Sequence, residues 1–199
     1  LYQMYKAILA VSNRFKETAA QLKQSKSVVE GRTMSFKSEN SSFAVSCAPQ
    51  VEGLLGLALD WKFLFDVNAP ISCQSKRPVF PAEIVDNTQI PDGVIWPMSR
   101  KIVIWVELTC PWEENMELRH IEKKGRYNQL AINCRNKGWT VYPFEVEVGC
   151  RGHTAQSFDY TFKQLGFDKQ QFKDLKFTVE KTALSCSHAI FVHRYQKEW

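Results

Sequence analysis

Residues 90–109 read IPDGVIWPMSRKIVIWVELT, and this stretch predicts a β-hairpin at the centre of the fold. β-Branched and aromatic residues dominate its two arms, 93–96 and 101–108, as is typical of strands. The segment PMSR between the arms predicts the turn. Two acidic residues, Asp92 and Glu107, stand on these otherwise apolar runs. The hairpin therefore also predicts a place where two carboxylates meet.

The register of the hairpin decides whether these acids share a site. A turn centred near Ser99 and Arg100 pairs residues whose numbers sum to about 199, which places Asp92 opposite Glu107. Directly opposed side chains of an antiparallel pair have Cβ atoms about 5 Å apart. Carboxylates this close repel each other, and a divalent cation resolves the repulsion. Mg²⁺ suits such a site because it prefers oxygen ligands, and it can activate water and stabilise charge on a phosphate.

A long helix is predicted after the hairpin, from about residue 113 to 137, closed by Gly138. Residues spaced alternately four and three apart form one face of this helix. That face consists of Met116, His120, Lys123, Tyr127, Leu130 and Cys134. Lys123 could orient the attacking water or neutralise charge in the transition state, and Lys124, which points further toward solvent, is the second choice. In the purely structural alternative, the acids belong to a turn and a solvated strand end, and the lysine reaches into water.

The rest of the chain predicts helices at both ends and further strands between them. We predict helices over 1–26, 154–165, 169–175 and 178–195, strands over 61–67 and 140–148, an extended piece at 83–85, a loop over 27–50 and a tight turn over 149–152. Strands, a long helix and then another strand predict an α/β fold with a mixed sheet covered by helices.

The composition is that of an ordinary globular protein, and 199 residues suit one compact domain. No apolar run approaches the roughly 18 residues of a membrane span, so we expect no membrane partner. No secretory signal is expected either. The net charge of +5, with a local basic cluster over 119–126, hints at a polyanionic partner.

The cysteines are widely spaced and form no CxxC pair. They are Cys47, Cys73, Cys110, Cys134, Cys150 and Cys186. In a chain without a secretory signal this spacing favours free thiols. Cys186, His188 and His193 suggest a zinc-dependent binding module as an alternative, but a second ligand pair at standard spacing is missing.

The acidic residues stand in a pattern that resembles a nuclease superfamily. Pro91-Asp92, fourteen intervening residues and Glu107-Leu108-Thr109 resemble the core of the PD-(D/E)XK restriction-like nucleases. Thr109 stands where that pattern usually has lysine. The restriction-like endonucleases of site-specific non-LTR retrotransposons instead carry a lysine and a tyrosine on the next helix, similar to Lys123 and Tyr127 here.

A closer resemblance is to retroelement-associated proteins of animal genomes that lie downstream of a reverse transcriptase. It covers residues 60–199 well and the first 60 poorly, and its most characteristic segment is VEVGCRG at 146–152. The chain departs from that family at Ile90, where arginine is usual, and at 3–6, where a tryptophan-arginine-histidine-aspartate motif is expected.

The resemblance implies a restriction-endonuclease-like α/β fold over 51–199, preceded by an N-terminal helix and connecting loop over 1–50. It implies Mg²⁺ (or Mn²⁺) as cofactor. The residues it singles out are the metal ligands Asp92 and Glu107, the catalytic Lys123 and Tyr127, a possible additional acid Glu83, and the DNA-contacting His120, Lys124, Arg126, Arg151 and Gln156.

The implied function is a nuclear DNA endonuclease that nicks double-stranded target DNA for retroelement insertion. A reverse transcriptase in the same polypeptide or element would be its partner. The alternative is a catalytically inactive, nuclease-derived domain that binds DNA or protein. The departures at Ile90 and 3–6 favour that alternative, whereas the presence of Asp92, Glu107 and Lys123 opposes it.

Overall fold

The computed structural model describes residues 1–30, 53–65 and 79–194, without the side chains of 22–30. Within these residues the chain forms five α-helices and four strands. They are α1 (Tyr2–Glu30), β1 (Trp61–Phe65), β2 (Gly93–Pro97), β3 (Ile102–Thr109), α2 (Met116–Arg126), α3 (Asn128–Asn136), β4 (Thr140–Glu147), α4 (Gln156–Leu165) and α5 (Lys169–His193), with short 3-10 helices at Leu54–Leu57 and Glu113–Asn115.

The described strands form one mixed sheet in the order β1-β2-β3-β4. The first three strands are antiparallel, and β4 runs parallel to β3. A parallel neighbour needs a crossover connection, which α2 and α3 supply. The predicted hairpin register is confirmed, since Gly93 pairs with Val106 and Ile95 pairs with Ile104.

Helices cover both faces of the sheet, so each face has its own core. On one face, α1, α4 and α5 pack on the sheet through residues such as Ile8, Ile104 and Phe158. On the other face, α2 and α3 pack through residues such as Tyr127 and Leu130. The mixed α/β sheet flanked by helices that the sequence predicts is therefore observed.

The helix predicted over 113–137 is not continuous. It begins with a 3-10 turn and is interrupted at Tyr127, whose φ of −106° is not helical. The chain bends there so that α2 and α3 both pack on β4. In contrast, the helices predicted over 169–175 and 178–195 are a single helix, α5, because no glycine or proline interrupts it.

Other boundaries differ from prediction in smaller ways. The N-terminal helix continues to Glu30, and the rest of the predicted loop lies outside the described residues, as does the domain boundary at residue 50. The predicted extended piece at 83–85 is wrong. It is a turn, because the N–H groups of Ile84 and Val85 both bond to the Pro81 carbonyl. Strand β1 ends at Phe65, and the last two residues of its predicted range are not described.

The tight turn predicted at 149–152 is observed, closed by a bond from the Gly152 N–H to the Gly149 carbonyl. Cys110, Cys134, Cys150 and Cys186 carry free thiols, and Cys47 and Cys73 lie outside the described residues. None of the helices in the part of the chain that is described has the length and apolar composition needed to cross a membrane.

Gly125 lies inside α2, where a Cβ atom would meet nothing within 4 Å. We expect Gly125→Ala to raise the free energy of unfolding by about 0.5–1 kcal/mol, because alanine loses less backbone entropy on folding. The matched control is Gly53→Ala, where φ is +99° and the new Cβ would lie 2.2 Å from the Gly166 Cα. Urea unfolding should show stabilisation by the first change and destabilisation by the second. The opposite order would contradict the packing described.

Candidate active site

Asp92 and Glu107 lie side by side where β2 begins and β3 ends. The Asp92 N–H donates to Glu107 Oε2 at 3.2 Å, and the Leu108 N–H donates to Asp92 Oδ2 at 2.8 Å. Each carboxylate is therefore bonded to the backbone of the other strand. Glu107 is only 2% exposed, so its charge requires compensation by its neighbours.

Helix α2 supplies that compensation. Lys123 Nζ lies 2.5 Å from Glu107 Oε1, and Arg126 Nη1 lies 3.5 Å from the same oxygen. The Tyr127 hydroxyl lies 3.1 Å from Glu107 Oε2 and also 3.1 Å from the Ile90 carbonyl. The helix face predicted from sequence thus brings Lys123 and Tyr127 to the acid pair.

Tyr127 acts at this site as a neutral hydrogen-bond donor. Burial raises the pKa of its phenol far above the ordinary range, and the negative charge of Glu107 raises it further. The hydroxyl therefore stays protonated at working pH. The hydroxyl has one proton and lies within hydrogen-bond distance of both Glu107 and the Ile90 carbonyl. It therefore holds the carboxylate near the start of β2.

The other predicted site residues are distributed around this pair. His120 contacts a different acid, Glu147, and Lys124 and Gln156 line a neighbouring cleft. Arg151 is held by Glu113 and Glu114 at 2.7 and 3.1 Å. Glu83 accepts hydrogen bonds from Trp96 Nε1 and Lys62 Nζ.

A second pair of acids, Glu145 and Glu147, was not singled out from the sequence. Glu147 is 1% exposed and accepts hydrogen bonds from the Ser157 hydroxyl and from His120 Nδ1, the latter at 3.0 Å. A carboxylate oxygen accepts, so the tautomer of His120 that carries its proton on Nδ1 makes this bond and leaves Nε2 as an acceptor. The sequence did contain a signal for this pair. Glu145 and Glu147 are two residues apart on a predicted strand, and such residues share a face.

Glu145 lies next to the first pair. In the parallel register it is the β4 partner of Glu107. Paired residues of neighbouring strands point to the same side of a sheet, so Glu145 faces the α2–α3 layer with Glu107. The sequence did not reveal this neighbour because the register of parallel strands depends on how the crossover helices pack.

A cleft of about 1090 Å³ opens beside the acids, along β4 between α2–α3 and α4. Four predicted site residues line it, namely His120, Lys124, Tyr127 and Gln156. Asp92, Glu107 and Lys123 are not among its lining residues. Tyr127 joins the two places, since its hydroxyl reaches Glu107 while the residue also lines the cleft.

Burial raises the pKa of the Glu145 carboxyl, and Glu147 adds to the increase while His120 and Lys124 oppose it. When folding raises the pKa of an acid, the free energy of unfolding falls as the pH rises from the pKa in the unfolded state to the pKa in the folded state. We expect Glu145→Gln to raise the free energy of unfolding at neutral pH and to change it little at a pH where the carboxyl is protonated in both states. Urea unfolding at both pH values checks this, with the exposed Glu117→Gln as control. An equal effect at both pH values would contradict it.

The chemistry of the acid pair fits a hard divalent cation. Mg²⁺ is commonly held by one or two carboxylates and keeps several waters, so Asp92 and Glu107 are the residues that could hold it. Within residues 1–30, 53–65 and 79–194, no group of three or more His, Cys, Asp or Glu side chains is arranged to hold a metal ion. The described part of the chain thus offers no denser metal site, at Cys186 and His188 or elsewhere.

Comparisons with family models, with curated proteins and with solved structures found no match for this chain. The resemblance to restriction-like nucleases therefore rests on the sequence motifs.

Proposed function

We propose that residues 51–199 form a restriction-like, Mg²⁺-dependent DNA endonuclease that nicks target DNA for retroelement insertion. One observation carries the proposal, namely that the adjacent Asp92 and Glu107 meet Lys123, whose Nζ lies 2.5 Å from Glu107 Oε1. Two carboxylates can bind a divalent cation, and an ammonium group beside them can stabilise the charge that develops on a phosphodiester during hydrolysis.

Each residue has a distinct role in this proposal. Asp92 and Glu107 would hold the cation, which when bound supplies positive charge for the phosphate and lowers the pKa of a bound water. Lys123 would hold the attacking water or counter the charge that develops on the phosphate. Tyr127, kept neutral by its raised pKa, would hold the Glu107 carboxylate in place through its hydroxyl.

The end of α2 offers contacts for the DNA backbone. Its last turn contains Lys123, Lys124 and Arg126, and the latter two are exposed. Basic side chains at a helix C-terminus stabilise the helix, and those that are exposed also attract phosphates. The exposed Arg126 guanidinium lies 3.5 Å from Glu107, so a phosphate at the acid pair would be within its reach.

Binding without cutting is the second candidate, and one observation favours it. Both oxygens of Glu107 already have protein donors, with Lys123 and Arg126 at Oε1 and Tyr127 and the Asp92 N–H at Oε2. A buried carboxylate satisfied in this way can serve structure alone. The two candidates predict different outcomes in the presence of a divalent cation.

The test is a nicking assay with the purified chain and supercoiled plasmid DNA. We expect open circles with Mg²⁺ or Mn²⁺ and none when EDTA removes the cation. The nicks should carry 3′ hydroxyl ends that a DNA polymerase extends, because the proposed role is to prime reverse transcription. DNA binding without nicking in either metal would overturn the endonuclease proposal in favour of the binding domain.

A further inference from the structure

The cleft beside the acid pair has the size of a small-molecule site. Its volume of about 1090 Å³ lies just above the roughly 300–1,000 Å³ that is usual for such sites. It shares Tyr127 with the acid pair, so the cleft and the proposed phosphate position at Asp92 and Glu107 are neighbours. A single nucleotide fits this position, whereas a whole duplex does not fit inside.

The walls of the cleft are suited to a flat aromatic ligand. Trp105, Met116 and Phe144 contribute apolar surface. Tyr160, on α4, is 60% exposed although it lines the cleft. Its ring is tilted by 59° to that of Phe144, at a centroid distance of 6.3 Å, so Phe144 does not stack on it face to face. Stacking on an accessible tyrosine ring is how proteins commonly bind bases without regard to sequence.

Polar groups converge on the same cleft. Glu145 presents a carboxylate, which is the group that accepts from an exocyclic amino group of a base. His120, oriented by Glu147 through Nδ1, presents Nε2 as the nitrogen available to a ligand. Gln156 adds an amide that both donates and accepts. Their donors and acceptors are of the kinds that can bond to the edge of an unpaired base.

The charges of the cleft favour a neutral ligand over a phosphate. Glu113 is paired with Arg151. Of the other lining residues, Glu117, Glu145 and Glu147 outnumber Lys124 and Arg135. Without an excess of positive charge, the cleft does not attract a phosphate. An uncharged base does not depend on such an attraction.

We propose that this cleft binds one unstacked nucleobase that carries an exocyclic amino group, taken from the nucleic-acid strand at the acid pair. Tyr160 stacks on the base and Glu145 accepts from its amino group. This proposal rests on the proposed function for its source of ligand. It goes beyond that function in giving the protein a preference for bases such as cytosine over thymine, which has no exocyclic amino group.

The test measures binding in EDTA, where no cleavage occurs, by fluorescence anisotropy of labelled oligo(dC) and oligo(dT) with the full chain. Wild type should bind oligo(dC) at least about fivefold more tightly than oligo(dT). Tyr160→Ala should weaken the binding of both by about 5- to 100-fold, whereas the matched Tyr160→Phe keeps the stacking ring and the affinity. Glu145→Gln should abolish the preference, because its amide also donates to the thymine carbonyl.

Several outcomes would overturn the proposal. The first is equal binding of oligo(dC) and oligo(dT) by wild type. The second is unchanged binding by a folded Tyr160→Ala variant. The third is a protein that binds free deoxycytidine monophosphate or a peptide but not the oligonucleotide.

Failure of this proposal can be distinguished from failure of the proposed function. A chain that prefers oligo(dC) but never nicks plasmid refutes the nuclease alone, and one that nicks without base preference refutes the base pocket alone.

Discussion

Lys123→Ala is expected to lower metal-dependent nicking by about 10²- to 10⁴-fold, the range over which a positioned acid–base group contributes to catalysis. The ammonium group lies 2.5 Å from Glu107 Oε1, next to the proposed position of the cation. The measurement is the initial rate of plasmid nicking at saturating Mg²⁺. A rate within tenfold of wild type would remove Lys123 from the proposed chemistry.

Two further variants separate chemistry from folding. Lys181→Ala is the same change at an exposed position of α5 and should leave the rate unchanged. Lys123→Arg keeps a positive charge beside the buried Glu107 and should preserve the unfolding midpoint, but its planar guanidinium should not restore the rate. Removing one partner of a buried ion pair can cost about 3–5 kcal/mol, so the unfolding of Lys123→Ala has to be measured alongside.

Phe158→Ala is expected to lower the free energy of unfolding by about 3–5 kcal/mol. Phe158 is fully buried (0% exposed) in α4, and its ring lies 4.6 Å from that of Phe162 and 6.1 Å from that of Phe172, centroid to centroid. Its removal leaves a cavity between α4, α5 and the sheet. For a chain of this length the melting temperature should fall by about 6–20 °C.

The matched control for this change is Phe177→Ala on α5. Phe177 is 66% exposed, so the same truncation should alter the free energy of unfolding by no more than about 0.5 kcal/mol. Thermal and urea unfolding of both variants test the prediction. Similar losses from the two substitutions would contradict the placement of Phe158 in the core.

The parts of the site that depend on short-range patterns could be predicted from the sequence. A hairpin with a short turn has its register set by the turn, so the pairing of Gly93 with Val106 followed from the numbering. The common face of Lys123 and Tyr127 followed from helical spacing, because α2 is regular from Met116 to Arg126 and the break comes only at Tyr127. Both are local features of the chain.

The parts that depend on packing between distant segments could not be predicted. Glu145 comes beside Glu107 through a parallel register, and Ser157 and His120 reach Glu147 from two different helices. The cleft exists because α2–α3 and α4 stand on either side of β4. Residues 83–85 were mistaken for an extended piece because the apolar residues in this segment suggested a strand, whereas the Pro81 carbonyl closes a turn.

We propose that Asp92 and Glu107 together hold the cation with which the protein cuts DNA. The most direct test is the nicking rate against Mg²⁺ concentration for wild type, Asp92→Asn and Glu107→Gln, both of which keep the shape of the side chain and remove its charge. We expect a rate that rises to saturation in wild type and no Mg²⁺-dependent nicking by either variant. Cleavage that survives both substitutions would contradict the assignment.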